Sequence, residues 1–171
     1  TDIDVPGSYY KDVQRRQAGV NAGLTLNFTD EKEKDPATGK PWKESWCYQN
    51  GIADYVAELA GQAPHTPIQF WTGERTGRDR PDKPDYKVKL SCAFCFCPAH
   101  HIIEHYHNSS WLEHGGAPEK AMRSAFLSAM DGWLKQNNKY NKNEAKITWP
   151  DVQETLIFVS NNFSTQTSYE N

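Results

Sequence analysis

The stretch from Asn108 to Gln136 constrains the fold more than any other part of the chain. It opens with a turn-like run, Asn108-Ser109-Ser110-Trp111-Leu112-Glu113-His114-Gly115-Gly116, and continues as a helix from Pro118. Ala121, Ala125, Ala129 and Trp133 recur every four residues, and Met122, Phe126, Met130 and Leu134 run beside them. Two adjacent rows at this spacing give one broad apolar face. Glu119, Lys120, Arg123, Ser124, Ser128 and Asp131 occupy the other side. Pro118 suits the first turn, where its missing N–H would have no partner. On a fully covered face each large side chain contributes about 1.5–3 kcal/mol, so this helix is expected to anchor the core. Gly132 weakens it by about 1 kcal/mol relative to Ala.

The remaining pattern surrounds that helix. Gly7-Ser8 could cap a first helix from Tyr9 to about Gln17. Gly23 to Asp30 alternates as a half-buried strand. Glu31 to Lys43, with Pro36-Ala37-Thr38-Gly39, reads as an exposed hairpin loop, and Ser45 to Gln49 as the returning strand. Ile52, Tyr55, Val56 and Leu59 fall at i, i+3, i+4 and i+7, with Gly61 after the last turn, which predicts a helix. Pro67 to Thr72 is strand-like, and Glu74 to Asp85 reads as a solvated loop. Tyr86 to Cys97 alternates again and leads to a partner strand, about His101 to Asn108. Thr148 is the expected N-cap of a short helix with Pro150 in its first turn, and Thr155 to Ser160 forms a last apolar strand. The order predicts an α+β domain with helices packed on a mostly antiparallel sheet.

At 171 residues the chain is one domain of ordinary size or two very small ones. The simplest division is a single domain over residues 1–171, with 1–45 as a possible edge layer of helix and hairpin. With 37% hydrophobic and 24% charged residues and a mean hydropathy of −0.83, it has no apolar run of membrane-spanning length. A net charge of −3 weighs against a generally basic nucleic-acid binder while leaving room for a local basic surface. The chain opens on Thr1-Asp2-Ile3-Asp4 and stops at Asn171 amid polar residues, and it reads as a piece of a longer protein. Four cysteines, three within six residues, do not fit a secreted disulfide framework and predict a reducing, cytoplasmic setting.

Cys92, Cys95 and Cys97, followed by His100, His101, His105 and His107, supply enough ligands for zinc. Strand geometry opposes that reading, because Cys92 points away from Cys95 and Cys97. His105 and His107 share a face expected to border Cys95 and Cys97. A cytosolic zinc-binding interaction module on this cluster stands as the alternative function. The sequence carries no Gly-rich phosphate loop and no Gly-x-Ser-x-Gly elbow. Gly115-Gly116 before a helix could present N–H groups to an anion, or simply permit a tight turn.

Five stretches, spread in order along the chain, carry a resemblance. Val20-Asn21-Ala22-Gly23 precedes a strand closing on Asp30-Glu31-Lys32. Tyr48-Gln49-Asn50-Gly51-Ile52-Ala53-Asp54-Tyr55-Val56 opens a helix. Gly73-Glu74 looks like a strand end. Tyr106-His107-Asn108, Gly115-Gly116 and Ala121-Met122-Arg123 follow in order, and Ile147-Thr148-Trp149-Pro150-Asp151-Val152-Gln153-Glu154-Thr155-Leu156 comes last. Together they resemble the second, transducer domain of the ATPase component of bacterial type II DNA topoisomerases, gyrase B and its topoisomerase IV counterpart. The longer Glu31 to Lys43 region and the cysteine-rich strand depart from that pattern.

The resemblance implies the ribosomal-protein-like βαβ transducer fold of the GHKL ATPases and a role in coupling. ATP, with Mg2+, would bind in an upstream domain of the same chain and dimerise two copies around duplex DNA. The transducer would then relay nucleotide state to a DNA-cleaving partner subunit. The fragment itself would hold no catalytic or cofactor residue. Asn108, Gly115 and Gly116 match the family's turn. Arg123 matches an arginine lining the cavity for the transported duplex, with Lys120 one turn earlier; the plainer alternative pairs Arg123 with Glu119 at the surface. An ungapped count puts Tyr169-Glu170-Asn171 at the approach to the family's Gln-Thr-Lys ATP switch, which would begin at the next residue. A second register sets Gln166-Thr167-Ser168 on that motif and replaces its lysine with serine.

Overall fold

The computed structural model describes residues 5–62, 64–78, 80–98 and 100–165. Helix α1 (Gly7–Val20) leads into a two-stranded hairpin, β1 (Leu26–Lys34) and β2 (Pro41–Trp46). Helix α2 (Ile52–Ala60) follows, then β3 (Gln69–Gly77), β4 (Tyr86–Phe96), β5 (Ile102–His107) and the short β6 (Ser110–Trp111). Helix α3 (Gly116–Gln136), helix α4 (Trp149–Gln153) and β7 (Leu156–Ser164) complete the order.

Strands β3 to β7 form one sheet in the order β3-β4-β7-β5-β6. Only β5 and β7 pair in parallel; the other three pairings are antiparallel. The fold is α+β on a mostly antiparallel sheet. Strand alternation divides the core into two layers. Ala93, Cys95, Tyr106, Ile157 and Val159 pack against Ala18, Ile52, Tyr55, Val56 and Ala60 of α1 and α2. On the opposite face Phe94, Phe96, Ile103, Leu156 and Phe158 meet Met122, Phe126, Leu127, Met130 and Val152 of α3 and α4. Edge-to-face packing of Phe126 on Phe94, with ring centres 5.1 Å apart, seats α3. Gly19 lets α1 approach α2: an added Cβ would lie 2.7 Å from the Tyr55 ring.

Several expectations change. The Glu31–Lys43 loop shrinks, because β1 runs to Lys34 and β2 resumes at Pro41. Asp35 closes the connection by accepting from the Ala37 N–H (2.8 Å) and the Thr38 hydroxyl (2.9 Å). Glu74 to Gly77 is strand, not loop, with Glu74 opposite Lys89 and Gly77 opposite Tyr86. The sequence hides this because β3 is an edge strand, largely exposed on both faces. β5 does not pair with β4, since β7 lies between them.

The largest correction concerns α3. Met122 is buried and Phe126, Met130 and Leu134 are half-buried, but Ala121, Ala125 and Ala129 are exposed and Trp133 is 56% exposed. The helix leans on the sheet along one row. The alanine row instead fronts an open cleft of about 1110 Å³, floored by Trp71, Tyr86, Val88 and Leu90. Alanines fit either setting, so their spacing marks a helix without marking which side is covered.

Candidate nucleic-acid interface at helix α3

The turn before α3 is built from left-handed backbone. Asn108 and Ser109 have φ of 47° and 64°, Gly115 and Gly116 of 70° and 66°. Gly115 donates to the Leu112 carbonyl (3.1 Å) and Gly116 to that of His114 (2.7 Å). A Cβ on Gly115 would run into the Glu119 carboxylate, which folds back over it. Glu119 in turn pairs with Arg123, and the Arg123 guanidinium lies 5.1 Å from the centre of the Trp149 ring. Of the sequence-expected residues, Gly115 and Arg123 are thus joined through Glu119. Asn108 belongs to a different cluster at the end of β7.

The surface pairing expected as the plainer alternative for Arg123 is present. An exposed ion pair of this kind is worth only about 0–1 kcal/mol. Lys120 stands exposed three residues away. From Gly116 to Gln153 the α3–α4 unit carries six Lys and Arg against four Asp and Glu, although the whole chain is net acidic. Asp151 caps the start of α4: the Thr148 N–H and hydroxyl donate to Asp151 Oδ2 at 2.8 and 2.6 Å. That holds Trp149 beneath Arg123.

Two polar sites escaped the sequence. Glu104 is buried between Tyr55 and Tyr106, whose hydroxyls donate to it at 3.0 and 2.6 Å, with Arg16 Nε at 3.9 Å. Burial and this carboxylate push both phenols well above the ordinary range. On the other face His105, 3% exposed, shares a 2.8 Å hydrogen bond between Nδ1 and the Ser160 hydroxyl, while its Nε2 finds no partner among the described residues. Burial lowers its pKa, opposed weakly by Glu119. An alternating polar–apolar strand gives no hint that a Glu or His on it is buried among partners.

His105 makes a pH prediction. Its folded pKa lies below the ordinary 6.5, so below that pH the unfolded chain takes up a proton the native ring resists. The stabilisation is complete above 6.5 and is lost as pH falls toward the lowered value. Urea unfolding at pH 7.5 and 5.5 should show a fall in stability that His105→Gln reduces. An equal fall in the variant would refute the assignment.

The cysteine–histidine cluster does not converge. Cys92 joins the α3 layer, and Cys95 and Cys97 the α2 layer. His105 and His107 lie on the α3 side, facing away from Cys95, which corrects the expected neighbourhood; the register through Ile157 puts Ile102, Glu104 and Tyr106 on the Cys95 face instead, with β7 between the two strands. His100 is the histidine that reaches a thiol, with Nδ1 3.9 Å from Cys97 Sγ and Nε2 2.7 Å from the Leu59 carbonyl. Burial raises the Cys92 and Cys95 thiols, which disfavours the thiolates a metal needs. Among the described residues no three His, Cys, Asp or Glu side chains could hold one ion. Tyr169, Glu170 and Asn171, and the alternative Gln166-Thr167-Ser168, lie outside the described residues.

Comparison with known proteins gives this geometry a family. The family model described as DNA gyrase B matches residues 51–171, from the start of α2 through β7 and beyond. The chain belongs to the DNA gyrase B family. DNA gyrase B of Mycoplasma pneumoniae is 24% identical over 146 residues, covering 83% of this chain and 22% of that protein. DNA gyrase B of Spiroplasma citri is 28% identical over 144 residues, 82% of this chain and 20% of that protein. The chain therefore spans about a fifth of the length of the curated gyrase B relatives it matches. The fold is similar to the 43K ATPase domain of Thermus thermophilus gyrase B, solved with an aminocoumarin (TM-score 0.62, 21% identity, 99% of this chain and 42% of that one). It is equally similar to the topoisomerase IV ATP-binding domain of Francisella tularensis, solved with a small-molecule inhibitor (TM-score 0.62, 20% identity, 99% and 41%). Within the gyrase B match, the Ile147–Leu156 stretch spans α4 and enters β7, whereas Gly73-Glu74 sits inside β3 rather than at its end. Among the described residues no helix is long and apolar enough to cross a membrane.

Proposed function

We propose that this chain is the transducer domain of an ATP-dependent type II DNA topoisomerase, a single domain over residues 1–171. The match to the gyrase B family across residues 51–171, which takes in the whole five-stranded sheet and both α3 and α4, carries the reading. In the parent protein, working in the cytoplasm, ATP and Mg2+ would bind the upstream domain and dimerise two copies around duplex DNA. The transducer would pass that event to the DNA-cleaving partner subunit. The excess of cations between Gly116 and Gln153, which lies in the connection between α3 and α4, supports contact with the transported duplex, with Arg123 leaving Glu119 for a phosphate and Lys120 beside it. Such contacts are salt-sensitive and indifferent to sequence. Tyr169 to Asn171 would lead into the ATP switch.

The experiment is ATP-driven relaxation or supercoiling by the full-length parent with its DNA-cleaving partner, beside ATP hydrolysis by the isolated chain. Strand passage by the parent and no hydrolysis by the fragment are expected. Robust ATPase activity of the fragment alone would refute the assignment. In the parent, Arg123→Ala with Lys120→Ala should weaken duplex binding evenly across sequences and reduce the slope of log affinity against log salt by about 2, roughly 1 per cation. An unchanged slope would remove both residues from the interface.

A further inference from the structure

Helix α1 and strand β7 meet in the turn that leads toward α3. On the α1 side, Gln17 Nε2 donates to the Ser109 carbonyl (2.9 Å), the Ser109 hydroxyl donates to Asn21 Oδ1 (3.2 Å), and Arg16 lies 4.1 Å from the Trp111 ring centre. On the β7 side, the Ser109 N–H donates to Asn161 Oδ1 (3.3 Å), and the buried Asn161 reaches back through Nδ2 to the Val20 carbonyl (3.5 Å).

Asn108 completes the bracket. Its backbone N–H extends the parallel ladder to the Asn162 carbonyl (2.8 Å). Its side-chain amide then substitutes for the next peptide of β5, which has turned away. Oδ1 accepts from the Ser164 N–H (3.1 Å) and Nδ2 faces the Ser164 carbonyl (3.5 Å). An amide side chain can imitate a peptide in this way because it carries the same donor and acceptor. Asn also tolerates φ of 47°, while Ser109 at 64° holds a conformation that costs about 1 kcal/mol or more and persists only where its surroundings enforce it. With both residues fixed there, neither half of the turn can shift alone.

We propose that the Asn108–Ser109 turn is a mechanical junction through which displacement of α1 is transmitted to the end of β7, with Asn108 as its positioning residue. The functional side rests on the topoisomerase reading, in which α1 follows the ATPase domain and β7 leads into the ATP switch. The junction would then tie the two segments that change with nucleotide state, and through β6 and Gly115-Gly116 it would set the start of α3.

Coupling requires that a change at one end be read at the other. In this chain, Gln17→Ala with Asn21→Ala removes both α1 side chains from Ser109. Residue-resolved hydrogen exchange should then show the amides of Asn108 and Ser164 exchanging about fivefold faster, the scale of one lost hydrogen bond. The amides of Met122 to Met130 should be unchanged. Unaltered exchange at Asn108 and Ser164 would overturn the junction. Should the double variant lose its fold, Ser109→Ala removes a single hydroxyl and is read at the same amides with the same two outcomes.

In the full-length parent, the double variant should bind a non-hydrolysable ATP analogue within about twofold of wild type. Strand passages per ATP consumed should fall at least tenfold. Retained coupling there would overturn the relay. A wild-type parent with no ATP-driven strand passage would instead refute the topoisomerase reading, and the exchange measurement would still decide whether the junction exists.

Discussion

Tyr106→Ala is expected to remove about 3–5 kcal/mol of folding stability, the range for deleting a large buried aromatic. The ring is fully buried where β5 meets the α2 layer. Its hydroxyl holds Glu104 at 2.6 Å, and its loss leaves that carboxylate to Tyr55 and the distant Arg16. Domains of this kind have about 5–15 kcal/mol in total, so the variant should lose a large share of it. Tyr106→Phe separates the two contributions. It keeps the ring and removes one hydrogen bond to a charged group, for a loss of about 1.5–3 kcal/mol. Urea titrations followed by tryptophan fluorescence and circular dichroism would measure both, and a loss below about 1 kcal/mol for the alanine variant would contradict this packing.

The same substitution should act in opposite directions at the two ends of α3. Gly115→Ala places a Cβ at φ 70° and drives it into the Glu119 carboxylate. Strain of about 1–3 kcal/mol follows from the backbone alone, and displacing Glu119 also releases Arg123 from its pair. Gly132, in contrast, sits inside the helix near its C-terminal end, with no atom of the described residues within 4 Å of an added Cβ. Gly132→Ala should stabilise the protein by up to about 1 kcal/mol. Thermal melts of the two variants would show shifts of opposite sign. A shared sign would mean that the geometry around Gly115, or the helical continuity at Gly132, is wrong.

Elements with local signals were legible in the sequence. Helix α2 follows from the spacing of Ile52, Tyr55 and Val56, α4 from the Thr148–Asp151 box, and the facing of β4 from strict alternation of Val88, Leu90, Cys92 and Phe94. Pairing was not legible, because nothing near His101–Asn108 records that a strand more than fifty residues later comes between it and β4. The apolar face of α3 was overdrawn, since Ala121, Ala125 and Ala129 have the right period and almost no side chain to bury. At the candidate interface, Arg123 and the glycine pair are marked by family resemblance and Glu119 by its i,i+4 spacing as the surface partner of Arg123, but nothing in the sequence shows that the Glu119 carboxylate also folds over Gly115. Asn108 is marked in the sequence as part of the turn, but the bracket around Ser109 is not, because Gln17, Asn21 and Asn161 are polar residues scattered through the chain.

The central position of β7 also governs when the molecule can assemble. Until residue 156 leaves the ribosome, β3–β4 and β5–β6 are two separate ribbons, each with an open edge awaiting the same missing strand. During that interval the nearest competitor is direct association of β4 with β5, the arrangement their adjacency in the sequence favours. Pairing across such long separations is slow and leaves strand edges exposed to other chains. Nascent chains halted before Leu156 are therefore expected to be the state in which this sheet is most open to misassembly, and synthesis of β7 the step that lets it take its native order.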